Sequence, residues 1–184
     1  MPFTHGKVCG IFNKQRQGGK RMIRKAIMTD MPAVLCIFEA ARVYMRETGN
    51  PTQWGMNNPS QETLEADIRR GELYVICGED QVPHAAFALV AGEDPTYGVI
   101  EEGDWTSDES YMTIHRVGSD GTMKGVFSQC VEFCKQQSDN IRADTHENNK
   151  TMQHLLTKHG FVRCGIVHVA DGTPRLAYQY LKEG

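Results

Sequence analysis

Residues 111–161 restrict the possible fold more than any other part of the chain. Residues 111–117 (Tyr111-Met112-Thr113-Ile114-His115-Arg116-Val117) read as a strand and Gly118-Ser119-Asp120-Gly121 as a tight turn. Residues 122–137 read as a helix, with Val126, Phe127, Cys130, Val131 and Cys134 recurring at helical spacing. A second strand at 141–145, a second helix at 149–159 and Gly160-Phe161 complete the unit. Two strands joined through a helix predict a right-handed βαβ crossover, whose first turn aims backbone N–H groups at whatever lies above the strand. Strand, turn, Lys124-Gly125 and helix start together suggest a phosphate-bearing ligand.

The flanking segments read as scaffold and acceptor pocket. Residues 22–26 can form a first strand, and Asp30 is placed as the N-cap of a helix with Pro32 in its first turn. Val34, Ile37, Phe38, Ala41 and Met45 give that helix an apolar face, and it ends near Gly49. A turn-rich loop at 50–59 carries Trp54. Ser60 then caps a second helix, with acids early, Arg69-Arg70 late and Gly71 as its stop. Residues 73–77 and 83–90 read as a hairpin joined through 78–81, and 161–169 and 175–181 as a closing one. The order is β, α, α, β, β, β, α, β, α, β, β, an α/β fold around a mixed sheet of about seven strands.

Charge narrows the partners. The chain carries −3 overall, but residues 1–21 hold five Lys/Arg and no acid, leaving 15 positive and 23 negative charges, a net of −8, for the rest. The expected organisation is therefore a basic N-terminal extension over 1–21 and one domain over 22–184. So acidic a body argues against nucleic acid as a partner and favours a small cationic one such as an amine. The connection 92–110 holds seven acids and no Lys or Arg. A solvated loop is the plain expectation for it, and a rim that attracts amines the sharper one. No apolar run is long enough to span a membrane, and no secretory signal is evident. Six cysteines scattered through predicted helices and strands, with no ligand spacing for a metal, read as buried thiols of a cytoplasmic protein.

The element order, together with Ile114-His115-Arg116-Val117, Lys124-Gly125-Val126 and the run Asn149-Lys150-Thr151-Met152-Gln153-His154-Leu155-Leu156-Thr157-Lys158-His159-Gly160-Phe161, resembles the GNAT superfamily of acyl-CoA-dependent N-acetyltransferases. The likeness covers residues 22–181. It implies a mostly antiparallel sheet with helices on both faces, splayed between its fourth and fifth strands after Val117, and acetyl-CoA as cosubstrate without a metal. The family's pyrophosphate loop then falls at Thr122-Met123-Lys124-Gly125-Val126-Phe127, where only Gly125 fits its pattern squarely and Phe127 could crowd a diphosphate. The same likeness puts Val117 and Ser119 against the pantetheine arm and Asn149 facing it, although Asn149 also reads as a helix cap.

The implied activity is transfer of an acetyl group to a primary amine of a small molecule or peptide, by direct attack in a ternary complex. A non-catalytic acyl-CoA-binding module is the alternative. Tyr111, Thr113, His115 and Val117 should alternate onto one strand face. His115 stands where relatives place a base, and an imidazole titrates near neutrality. Relatives carry a tyrosine as thiolate acid where this chain has Leu156, leaving Tyr178 and Tyr180 as substitutes. Asp144 and His146 end the fifth strand near the implied cleft, either as amine ligands or as turn residues. Dimers are common among relatives, so a homodimer is a further expectation.

Overall fold

The computed structural model describes residues 22–182. The basic extension expected over 1–21, and Cys9 within it, lie outside the described residues. In chain order come β1 (Met22–Lys25), α1 (Met31–Glu47), α2 (Gln61–Arg70), β2 (Leu73–Cys77), β3 (Pro83–Ala91), β4 (Met112–Ser119), α3 (Val126–Lys135), β5 (Asn140–Thr145), α4 (Lys150–Lys158), β6 (Val162–His168) and β7 (Pro174–Leu181). The seven strands form one sheet in the order β1-β2-β3-β4-β5-β7-β6. Only β4 and β5 run parallel, as the crossover through α3 demands.

The helices end where the sequence says they should, with two exceptions. Ser60 Oγ accepts from Thr63 N–H at 3.2 Å to open α2, and Gly71 closes it at φ +69°. Asp30, expected to cap α1 with its side chain, does not. A 3-10 turn over Met28–Asp30 already holds it in the helical region, and its carboxylate takes the Arg24 guanidinium at 2.6 and 2.8 Å instead. Helix α3 starts at Val126, four residues later than expected. Asp120 gathers Thr122 N–H at 2.9 Å and the His84 ring at 2.7 Å into a turn, and Gly125 enters the helix at φ +71°.

Apolar residues bury on both faces of the sheet. On one face, Phe87, Leu89, Ile114, Ile141 and Tyr178 pack under α3 and α4 with Phe127, Val131, Leu156 and Phe161. On the other, Ala86, Ala88 and Val75 lie under α1 and α2 with Ile37, Phe38 and Leu64. The β5-β7-β6 half of this second face is covered by the acidic connection itself. Tyr97 and Trp105 pack there on Tyr111, Val167 and Ala177. The fully buried Gln179 accepts from Thr106 N–H at 2.7 Å and donates to Asn140 Oδ1 at 2.7 Å. The Arg142 guanidinium lies 3.9 Å from the ring centroids of both Trp105 and Tyr111. Glu101 exchanges two backbone hydrogen bonds with Ile166 on the edge strand β6. The solvated loop expected for 92–110 is thus corrected to a docked layer, because its few aromatics bury while its acids other than Asp94 point outward.

Cys77, Cys130, Cys134 and Cys164 are buried, as expected of thiols in this pattern, whereas Cys36 sits on the exposed side of α1. Among the described residues no helix is long and apolar enough to cross a membrane.

Replacing Gln179 with Leu keeps its volume and leaves Asn140 Oδ1 and Thr106 N–H without their partner. The loss should be about 2 kcal/mol, a fall in Tm of roughly 5 °C, with limited proteolysis shifting first to 92–110. A variant with wild-type Tm and an unchanged cleavage pattern would show that the connection is held by other contacts.

Candidate active site

The site begins with a fault in the sheet. β4 and β5 pair through Met112↔Ile141, Thr113↔Arg142 and Ile114↔Ala143, and there the ladder ends. β5 goes on against β7 through Asp144↔Ala177 and Thr145↔Leu176, while β4 goes on against β3 through His115↔Ala88 and Gly118↔Ala86. The strands therefore part after Ile114, three residues before the expected point at Val117. The cause is a β-bulge: three steps along β4 match two along β3, and Arg116 takes up the extra residue at φ +54°. The Arg116 guanidinium reaches the buried Asp67 of α2 at 2.8 Å, tying the strained residue to a helix. Burial pushes the Asp67 carboxyl above its ordinary pKa, against the pull of Arg116 and Arg70.

The bulge also changes which side chains share a face. His115 stays with Tyr111 on the α1–α2 side, its ring 6.1 Å from that of Tyr97. Val117 instead packs with Ile114 against the α3–α4 core. The expected alternation of His115 and Val117 onto one face is corrected by that single inserted residue.

Where the strands part, a cleft of about 460 Å³ passes through the sheet. Its α3–α4 side is walled by Val117, Phe127, Asn149, Met152 and Leu156, and its other side by Trp54, Asp94, His115, Asp144 and Arg175. The Phe127 ring is buried in the core against His159, at 5.7 Å between centroids, so it forms floor and does not block the start of α3. A Cβ built on Gly125 would meet nothing within 4 Å, which leaves the helix start open to a bulky group.

His115 is held by the acidic connection. Its Nε2 lies 2.9 Å from Asp94 Oδ2. Asp94 in turn accepts from Thr96 N–H at 2.8 Å and Thr96 Oγ1 at 2.7 Å, and its own N–H donates to Tyr111 Oη at 3.0 Å. Burial works to raise the Asp94 carboxyl, but the hydrogen bonds from His115 and Thr96 outweigh it and bring the group down to about 2. Asp94 is then a carboxylate at neutral pH with no proton to give, so the shared proton sits on His115 Nε2. The lone pair of neutral His115 is on Nδ1, and Asp144 Oδ2 lies 4.0 Å from that atom. Asp144 is fixed by Tyr97, whose buried hydroxyl donates to Oδ2 at 2.7 Å.

No family model matches the chain, and no curated protein sequence matches it. Among solved structures, a GNAT-family acetyltransferase from Streptococcus agalactiae is 32% identical over 89% of this chain and 96% of its own, with a TM-score of 0.76. The chain belongs to the GNAT family. Two further GNAT-family acetyltransferases share the fold: one from Listeria monocytogenes (21% identity, 91% and 98% of the two chains, TM-score 0.64) and one from Bacillus cereus (18%, 90% and 100%, 0.59). The membership supports acyl transfer as the class of chemistry, and GNAT acetyltransferases take acetyl-CoA as cosubstrate.

In this GNAT domain the expected site residues divide into two groups. His115, Val117, Phe127 and Asn149 line the cleft. Ser119, Thr122, Met123, Lys124, Gly125 and Val126 lie on the turn from β4 into α3. Ser119 Oγ there accepts from Gly121 N–H at 3.1 Å, and Thr122 bonds Asp120 and His84. Asn149 does cap α4, accepting from Met152 N–H at 3.0 Å, while its amide Nδ2 donates to Gln53 Oε1 at 3.0 Å. Leu156 is buried in the cleft wall, and neither Tyr178, packed in the core, nor Tyr180, under the Lys135 ammonium, lines it. His146 serves the turn after β5, its Nδ1 accepting from Asn148 N–H at 3.1 Å. Asp94 and Tyr97 were missed as partners of His115 and Asp144. The one signal for them was a Tyr and a Pro inside an otherwise acidic run.

The depressed pKa of Asp94 fixes a sign. A carboxyl lowered from 3.8 to about 2 on folding contributes stability that is complete above its unfolded value and is lost as pH falls through about 2. Asp94→Asn should therefore cost about 2 kcal/mol between pH 7 and 5, with the gap to wild type narrowing at pH 3. Urea unfolding of both proteins at the three pH values measures it. A gap as wide at pH 3 as at pH 7 would contradict the assignment.

Proposed function

We propose that this protein is an N-acetyltransferase that moves the acetyl group of acetyl-CoA to a primary amine of a small molecule or peptide, by direct attack in a ternary complex with His115 as base. The observation that carries this is the Asp94–His115 pair at 2.9 Å on the cleft wall, which leaves Nδ1 as the free basic atom. The arrangement has the logic of a base oriented by a buried carboxylate.

The residues present fit acetyl-CoA. Beyond Ile114 the edge of β4 that faces β5 has no ladder partner, so its backbone groups are free for the amides of a pantetheine arm. The first N–H groups of α3, entered through Gly125 and flanked by Lys124, suit a diphosphate. Val117 and Leu156 offer the arm an apolar wall. When bound, acetyl-CoA supplies a thioester carbonyl and a thiol of about the acidity of cysteine, pKa about 8.5.

His115 takes the first proton from the acceptor's ammonium at Nδ1 and releases it to solvent. The neutral nitrogen then forms the N–C bond as the C–S bond breaks. The nitrogen's second proton leaves in that step and the sulfur needs one, so the chain does not have to furnish an acid. Leu156 in the tyrosine position is compatible with that balance, and Asp94 stabilises the imidazolium in between.

Thiol release from acetyl-CoA over a panel of primary amines tests the reading. His115→Ala should lower kcat/KM about 10²- to 10³-fold while stabilisation by CoA in thermal melts stays as in wild type. Stabilisation by CoA with no amine turned over would assign the fold to acyl-CoA binding alone. No stabilisation at saturating CoA would remove both readings.

A further inference from the structure

Two carboxylates flank His115, and they differ in what is left for them to do. Asp94 is saturated by His115 and Thr96. Asp144 is not. Its Oδ2 accepts one close hydrogen bond, from Tyr97 Oη at 2.7 Å, and its Oδ1 faces Arg175 Nε at 3.9 Å, beyond hydrogen-bond reach. Arg175 spends its donors on neutral oxygens: Thr173 Oγ1 at 2.9 Å, the Pro174 carbonyl at 3.0 Å and the Gln53 carbonyl at 3.4 Å. A carboxylate can accept about four hydrogen bonds, so Asp144 keeps capacity on the side that faces the cleft. We infer that Asp144 is the docking group for the acceptor's ammonium, and that the acceptor is an alkylamine carried as a cation near neutral pH. The inference rests on the acetyltransferase reading and deepens it.

The geometry supports the role. A nitrogen about 3 Å from Asp144 Oδ2 can also lie about 3 Å from His115 Nδ1, since the two atoms are 4.0 Å apart. One donor of the ammonium then binds the carboxylate while another points at the lone pair that removes it. Tyr97 keeps the carboxylate in place and does not compete for the proton. Burial above all, and then the charge of Asp144, hold its hydroxyl well above the ordinary phenol pKa, so it stays a donor. The surroundings favour a cation. Asp171 lines the same side of the cleft, and the guanidinium of Arg116, the other arginine on the wall, is turned to Asp67. Trp54, Met45 and Pro59 provide an apolar wall for the body of the acceptor.

The test uses the full chain loaded with CoA, a dead-end complex without an acetyl group. Tryptophan fluorescence follows titration with an alkylamine such as hexylamine and with aniline, which is uncharged at pH 7.5. Wild type should bind hexylamine at least about tenfold more tightly than aniline. Asp144→Asn should erase most of that preference by weakening hexylamine alone, and Asp144→Glu should restore part of it. In turnover the same variant should raise KM for alkylamines about 10- to 100-fold with a smaller change in kcat. Equal affinity of wild type for the two amines would overturn the proposal, as would an Asp144→Asn variant that binds hexylamine as wild type does. The wild-type comparison decides the matter even if the variant fails to fold. Hexylamine binding that depends on Asp144 without turnover of any amine would leave the docking site standing and remove the transferase reading.

Discussion

The opening in the sheet depends on one residue of extra backbone in β4. Arg116 sits at φ +54°, a conformation that costs an ordinary residue on the order of 1 kcal/mol or more, and a buried carboxylate on α2 secures it. That bulge bends β4 toward β3 and away from β5 after three parallel pairs. A sheet opened in its middle exposes unpaired N–H and C=O groups inside the protein, an arrangement that native structures do not leave unanswered. Here the opening is a cleft, and under the proposed function a linear, amide-bearing molecule answers those groups. The fold therefore carries a local cost at the place where a ligand can repay it.

The second organising element is the acidic connection between β3 and β4. Its acids other than Asp94 face solvent, but Tyr97, Trp105 and the backbone around Thr106 bury against β5, β7 and β6, locked by Gln179 and by Arg142 between two rings. The docked layer replaces a helix on that half of the sheet. It also delivers Asp94 to His115, 21 positions away in sequence, and the Tyr97 hydroxyl to Asp144, 47 positions away. Packing and electrostatics here are one construction: the aromatics that cover the sheet also place the groups that tune the site.

Much of this was legible in the sequence because it is local. Ser60 and Gly71 bound α2, and helical spacing identified the buried faces of α1 and α3. The family resemblance singled out His115, and the structure sets its side chain on the cleft wall. What escaped is non-local. Nothing near Arg116 announces a bulge, since no glycine stands there and its partner Asp67 is on another helix, so Val117 was assigned the wrong face. The start of α3 was placed too early because the turn that delays it is tied through Asp120 to His84 on β3. Asp30 looked like a cap because the salt bridge that claims it comes from a neighbouring strand. An acidic run reads as solvated until Tyr97, Ile100 and Trp105 are seen to share one buried side.

The two carboxylates beside His115 show how environment divides labour between identical groups. Asp94 is surrounded by donors, and hydrogen bonding to its charged form wins over desolvation, so it is a fixed charge that orients the His115 ring. Asp144 receives one donor and stands 3.9 Å from its nearest guanidinium, so its charge is positioned but not consumed. On the proposed reading, a base held between a satisfied carboxylate and an unsatisfied one has a direction: protons would enter from the open side, and the imidazolium would be stabilised from the closed side. That polarity follows from which strand each residue ends up on. β5 carries Asp144 away from β4 toward β7, and the docked connection brings Asp94 in from the opposite side of the ring. The parting of the strands thus opens the cleft and also sets the two unlike acids on either side of His115.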